Sequence, residues 1–255
     1  MRFAVGKYPV AVNVTDQGDL LRELRHRLSQ KIGFSLATLN LDHLVKLSTN
    51  ATFGKAYAAQ SFVTADGRPI VWLARLAGRK VDLVPGSELI RPLCQIASAT
   101  ETPIALLGST DAALARAAED LNRQYPKLRI VAKLSPSRNF DPDGAEADDL
   151  IQQLHQSGAG LCFLALGAPK QECFAARAFA ELPEIGFASI GAGLDFIAGY
   201  QRRAPVLFRR LALEWFWRIL ENPRRMAPRY ARCFAILPRL TVSALQSRLS
   251  ANSAE

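Results

Sequence analysis

Five stretches of the chain are apolar almost throughout: "FSLATLN" (34–40), "PIALLGS" (103–109), "LRIVAKLS" (128–135), "LCFLALG" (161–167) and "IGFASIGAG" (185–193). Runs this short, with no alternation of polar residues in most of them, suit parallel strands covered on both faces. Between them the period changes. "DLLRELRHRLSQ", "SELIRPLCQIAS", "DAALARAAEDLNRQY", "GAEADDLIQQLHQSG" and "KQECFAARAFAEL" space their apolar residues as helices do. Asp111 and Ser87 are expected N-caps and Gly158 an expected stop. Strand and helix in repeated alternation predict an α/β fold, a Rossmann-like sandwich with a largely parallel sheet. No internal repeat or low-complexity segment interrupts it.

The pattern changes after the last predicted strand. From Pro205 to Glu221 the spacing is helical, with Arg210, Glu214, Arg218 and Glu221 forming one narrow stripe of alternating charge. The rest of that helix is mostly Leu, Ala, Phe and Trp, an apolar arc too wide for an ordinary surface helix. Pro223 is expected to stop it, and a second basic, partly apolar segment follows. The expected boundary lies near residue 200, with a core over 1–200 and a helical appendage over 201–255.

Charge sharpens that division. The net charge is +9. Residues 1–200 hold 21 basic and 20 acidic residues, whereas 201–255 hold 11 basic and 3 acidic, every basic one arginine. Arginine presents a planar fork to phosphate oxygens and keeps its proton. The tail therefore favours a phosphate-bearing partner: nucleic acid, a phospholipid surface or a diphosphate leaving group. The four cysteines, Cys94, Cys162, Cys173 and Cys233, include no CxxC pair and read as free thiols in a reducing compartment. No signal-peptide pattern opens the chain, and no run approaches the ~18 apolar residues needed to span a bilayer. A cytoplasmic protein able to lie on a membrane is expected.

Ligands of open α/β sheets gather at the carboxyl ends of strands. Four loops stand out there: Thr38 to Asn40, "TADGRP" (64–69), "GAPKQE" (167–172) and "GAGLDF" (191–196). An Asp–Gly pair is ordinary turn chemistry, and Asp42 reads as a cap for the helix after "TLN". The start of a helix at Lys170-Gln171-Glu172 offers backbone N–H groups to an anion. "GAGLDF" lacks the third glycine of a dinucleotide fingerprint. "DPD" (141–143) sits among turn formers and reads as a turn rather than a metal ligand. His26, His43 and His155 lie apart, so no metal site is expected.

In order, the chain reads "TLNLDHLVKL", "TADGRPIVWLARLAG", "VPGSEL", "ALLGST", "YPKLRIV", "LGAPKQE", "GAGLDFIAGYQRRAP" and "LEWFWRILENPRR". These segments resemble the WecG/TagA/CpsF glycosyltransferase family over roughly residues 30–232. "NLDHLV" and "SPSRNFD" lean toward its exopolysaccharide-type, GumM-like members. The resemblance implies a GT-E type fold and an inverting, metal-independent hexosyltransferase without a cofactor. It implies transfer from a UDP-sugar to a polyprenyl-diphosphate-linked saccharide on the inner face of the cell membrane, in cell-surface polysaccharide biosynthesis. Asp66 takes the general-base position. Thr38, Asn40 and Gln171 take substrate-contacting positions, and Gly191 and Gly193 lie against the nucleotide. Arg218 and Arg225 match the family's appendage arginines, with Arg203 and Arg229 added by charge and proximity. Three departures stand out: Pro228-Arg229-Tyr230 replaces a pair of arginines before the tyrosine, Ser109 replaces a glycine, and "SPSRNFDPDG" differs from a glycine-containing loop.

The competing reading is a nucleic-acid- or membrane-binding scaffold that uses the arginine tail without catalysis. The body has no basic face and no nucleic-acid recognition motif, so no nucleic-acid partner is expected. A homo-oligomer is left open.

Overall fold

The computed structural model of the chain describes residues 2, 3, 5, 7–201, 205, 208 and 213–252. A short antiparallel pair, β1 (Arg2–Phe3) and β2 (Val10–Ala11), precedes α1 (Gln17–Ser29). Then come β3 (Phe34–Leu39), α2 (Leu41–Leu47), α3 (Ala51–Ala58), β4 (Phe62–Ala65) and α4 (Arg68–Leu76). The middle of the chain forms α5 (Gly86–Ala99), β5 (Ile104–Gly108), α6 (Asp111–Gln124), β6 (Ile130–Leu134) and α7 (Ala145–Ser157). It closes with β7 (Leu161–Ala165), α8 (Lys170–Glu181), β8 (Gly186–Ser189), α9 (Gly193–Ile197), α10 (Glu214–Glu221) and α11 (Pro223–Asn252).

Six strands form one sheet in the order β4-β3-β8-β7-β5-β6, with every pairing parallel. The unbroken apolar runs follow from this. In β3, Phe34 and Leu36 enter one core while Ala37 and Leu39 enter another on the opposite face. In β7, Leu161 and Phe163 face the first core while Cys162 and Leu164 face a third, again opposite. Alternate residues thus both find apolar cover, and each large side chain removed from water contributes about 2–3 kcal/mol. β6 lies at the sheet edge, where Val131 and Lys133 are exposed. An edge lysine discourages pairing with another strand.

All five predicted strands and five predicted helices are present. β4 was not expected as a strand: four residues before an Asp–Gly turn carry too little pattern. Gly158 ends α7 in the left-handed region, with φ 67°. The expected caps differ. Thr110, not Asp111, caps α6, its side chain accepting the Ala113 N–H at 3.3 Å. Ser87 lies inside α5, whose cap position is Pro85. Asn40, not Asp42, caps α2. Glu214–Glu221 of the predicted Pro205–Glu221 helix is helical, and Arg210 lies outside the described residues. Pro223 does not merely stop that helix. It occupies the first position of α11, behind Asn222, whose Oδ1 accepts the Arg225 N–H at 3.3 Å. Proline at a first position gives up an N–H that would lack a helical partner anyway.

α11 folds back over α2 and α4. Cys233, Leu240 and Ala244 are buried in the same core as Leu44 of α2 and Leu73 of α4. Arg229 and Asp42 form an ion pair at 3.0 Å across this contact. The C-terminal segment thus completes the body's core. Among the described residues no helix is long and apolar enough to cross a membrane.

Candidate active site

The sheet order sets β3 between β4 and β8, with β7 next. The loops after these strands therefore converge. β3 and β4 pair in register, Thr38 with Thr64 and Leu39 with Ala65. That register brings Asn40 and Asp66 side by side where the two strands end. The Asp66 N–H donates to Leu39 O at 2.8 Å. Gly67 follows at φ 96°, a conformation that favours glycine. The chain can then turn straight from β4 into α4, leaving the Asp66 side chain at the sheet's carboxyl edge.

Two donors face Asp66 Oδ2: Thr38 Oγ1 at 3.4 Å and Asn40 Nδ2 at 3.4 Å. Asn40 has its orientation fixed from behind. Its Oδ1 accepts the His43 N–H at 3.0 Å as the α2 cap, which leaves the NH₂ for Asp66. The same NH₂ lies 3.4 Å from His43 Nε2. His43 Nδ1 sits 2.8 Å from Thr38 O and 2.7 Å from Tyr57 Oη, and the Tyr57 hydroxyl donates to Thr38 O at 2.6 Å. Nε2 as the acceptor for Asn40 and Nδ1–H as the donor satisfies this set. Burial, joined by the charge of Lys46, lowers the His43 pKa to about 4. The imidazole is therefore neutral, as that arrangement requires.

Asp66 is held above the usual carboxylate range. Burial is the largest cause; the Asn40 hydrogen bond opposes it, Glu214 adds to it, and Arg218 opposes it. Both appendage residues therefore lie close enough to act on the carboxylate. Arg218 pairs with Glu214 at 3.4 Å and stands over the Phe196 ring at 5.9 Å. α10 and the "GAGLDF" loop thus meet through Arg218 and Phe196.

A second buried set supports the neighbouring loops. Gln171 Oε1 accepts the Gly191 N–H at 3.1 Å, so its Nε2 faces and donates to Glu172 Oε1 at 2.8 Å. Glu172 is fully buried, and burial lifts its pKa to about 7. Its Oε2 has no hydrogen-bond partner among the described residues. Gly191 has φ 57° with open space where a Cβ would stand. At Gly193 a Cβ would lie 2.4 Å from Ile90 Cδ1 and 3.3 Å from Ser87 Cα, so a larger residue there would displace the Ile90 side chain. Across the loop, Asp195 accepts hydrogen bonds from Ser109 Oγ and, at 3.0 Å, Gln201 Nε2. Ser109 thus braces the "GAGLDF" helix.

The remaining candidates differ in their surroundings. Arg225 is exposed in the first turn of α11. Arg229 is engaged with Asp42, which Lys46 also pairs at 2.9 Å. Arg203 lies outside the described residues. Asp141 and Asp143 form a turn, the Asp143 N–H donating to Asp141 Oδ1 at 3.1 Å. Among the described residues no group of three or more His, Cys, Asp and Glu is placed to hold a metal ion. Trp215 packs against Tyr230 and Phe234, and Trp217 against Phe208.

Sequence reasoning missed His43, Tyr57 and Glu172 as parts of this site. His43 stands three residues after Asn40, where a cap partner's N–H belongs, and Glu172 closes "PKQE". Tyr57 left no signal, because its role depends on how α3 packs.

A carboxylate where polar loops converge at the carboxyl end of a parallel sheet is the arrangement of an α/β enzyme. A model of the "Glycosyl transferase WecG/TagA/CpsF family" matches residues 5–254, and the chain belongs to that family. It is a glycosyltransferase of the kind that serves cell-surface polysaccharide synthesis.

Proposed function

We propose that this chain moves a sugar from a UDP-sugar to a polyprenyl-diphosphate-linked saccharide, with inversion and without a metal, at the inner face of the cell membrane. The carrying observation is Asp66: one carboxylate, raised above its ordinary pKa by burial, held by Thr38 and Asn40 and within the field of Arg218. A raised pKa makes a carboxylate a better proton acceptor near neutral pH. In this reading Asp66 takes the proton of the acceptor hydroxyl as that oxygen attacks the anomeric carbon. The C–O bond to the diphosphate breaks with its electron pair, and a single displacement inverts the centre. Arg218, with Arg225 and Arg203 from the same segment, stabilises the charge growing on the leaving diphosphate. Gln171 and Gly191 set the loop against the nucleotide, and Gly193 lets that loop sit close to α5. The residues beyond 200 act as an appendage that completes the site over the 1–200 core. The "NLDHLV" and "SPSRNFD" wording supports an exopolysaccharide-type, GumM-like member.

The test is a panel of radiolabelled UDP-sugars offered with polyprenyl-diphosphate-linked acceptors, with and without EDTA. Label from one donor is expected in the lipid-linked product at an inverted linkage, with EDTA causing no loss. Retention at the anomeric carbon, or activity abolished by EDTA and restored by a divalent cation, would overturn the mechanism.

A further inference from the structure

Trp215 and Trp217 of the appendage are partly exposed and pack on Tyr230, Phe234 and Phe208. Trp72, on α4, is 50% exposed. Around it the surface is basic. Arg68, Trp72, Arg75 and Leu83 line one shallow cavity of about 150 Å³. Arg75, Arg79, Lys80 and Arg248 line a second of about 280 Å³. Arg75 belongs to both, so the two form one continuous face. Arg248 reaches it from α11, its Cγ lying 3.7 Å from where a Gly78 Cβ would be. Leu76 and Leu83 are each more than a third exposed, and Leu245, one turn before Arg248, is 44% exposed. The acid on this face is Asp82, whose Oδ2 accepts the Gln17 N–H at 3.0 Å.

We infer that this face of α4 and the end of α11 docks on an anionic lipid bilayer. A half-exposed indole among leucines seats at the boundary between headgroups and acyl chains. Five cations around it match anionic headgroups and draw the protein to them. A nucleic-acid site would instead offer a charged groove with stacking platforms, whereas here a single indole and exposed leucines are interspersed with the charges. Position supports the same occupant. α4 begins two residues after Asp66 and runs roughly 13 Å at 1.5 Å per residue. A bilayer held along it keeps a lipid-linked acceptor's head within reach of the carboxylate. The inference rests in that respect on the proposed acceptor.

The test uses the full chain with phosphatidylcholine vesicles, with and without phosphatidylglycerol. The protein is expected to sediment with the anionic vesicles and to stay in solution with the neutral ones. The combined variant Arg75→Glu/Arg79→Glu/Lys80→Glu should lower the partition coefficient on the order of 100-fold. Brominated acyl chains should quench part of the tryptophan emission of the unaltered chain and none of it in Trp72→Phe. Quenching unchanged in Trp72→Phe would overturn the inference, as would binding unaffected by the charge reversals or tighter binding to DNA than to vesicles. Turnover of a short-chain, water-soluble acceptor tests the enzyme reading separately. The face variants should keep it. Vesicle binding lost in those variants, with no turnover by any chain, would uphold the face and remove the transferase mechanism.

Discussion

Asn40 and Asp66, 26 residues apart in sequence, meet with the Asn40 amide 3.4 Å from the Asp66 carboxylate. The meeting is enforced from both sides, by the β3–β4 register and by the α2 cap that consumes Asn40 Oδ1. Asp66→Asn keeps the shape and removes the proton acceptor. Transfer is expected to fall by at least ~100-fold, with UDP-sugar affinity within about threefold of the original. Equal loss of binding, measured by calorimetry, would argue against a base.

Tyr57 and His43 act through Asn40. Tyr57→Phe removes a hydroxyl that donates to Thr38 O at 2.6 Å. A buried hydrogen bond is worth about 1 kcal/mol, so modest destabilisation is expected. The distinguishing readout is the pH profile. Asn40→Ala removes a hydrogen bond that holds the Asp66 pKa down, so its acid limb should move to higher pH. An unmoved limb would make Asn40 a structural cap alone.

The acid limb itself carries a sign. Asp66 must be ionised to accept a proton, and its pKa is raised, mainly by burial. kcat/KM should therefore rise with pH through a midpoint above the ordinary aspartate value of about 3.9. Glu172→Gln should leave that limb in place if Asp66 is its source.

Glu172 instead shows in stability. Its folded pKa of about 7 exceeds its unfolded value of about 4.5. Between these values the folded state binds more protons, so this residue's contribution is full below pH 4.5 and is lost as pH rises through 7. His43, lowered to about 4, pulls the other way between pH 4 and 6.5. The measurable quantity is accordingly a difference. Glu172→Gln should gain in unfolding free energy relative to the unaltered chain from pH 5 to pH 8, by on the order of 2–3 kcal/mol in denaturant melts. A difference that stays flat with pH would mean that Glu172 is ionised throughout.

The packing of α11 bears on truncation. Leu240 is buried among residues of α2 and α4, whereas Val242 is 54% exposed. Leu240→Ala should cost about 2–4 kcal/mol in a denaturant melt, and Val242→Ala less than about 0.5 kcal/mol. Removing 201–255 would uncover that apolar face, so a poorly soluble core is expected. A truncated chain as stable as the whole would show that α11 contributes nothing to the core.

Much of the site was legible because its residues sit where strands end, and strand ends follow from the apolar runs. Asp66, Gln171 and the "GAGLDF" loop were found that way or through the family resemblance. Arg218 and Arg229 looked alike as arginines of one basic tail. The structure separates them: one pairs with Glu214, while the other is tied to Asp42. Trp215 and Trp217, from the apolar arc of the predicted appendage helix, each pack on neighbouring rings and stay partly exposed, while Trp72 of α4 is 50% exposed.

The sequence by itself determined the layered α/β class, the parallel character of the strands, the helix stop at Gly158 and the concentration of arginine after residue 200. These depend on period, local backbone preference and composition, which are properties of neighbouring residues. Only the tertiary structure decided that β3 lies between β4 and β8, that Asn40 touches Asp66, that Gln171 holds Gly191, and that α11 shares the core of α2 and α4. Those facts depend on strand order and helix docking. Such contacts join residues dozens of positions apart, and no local pattern records them.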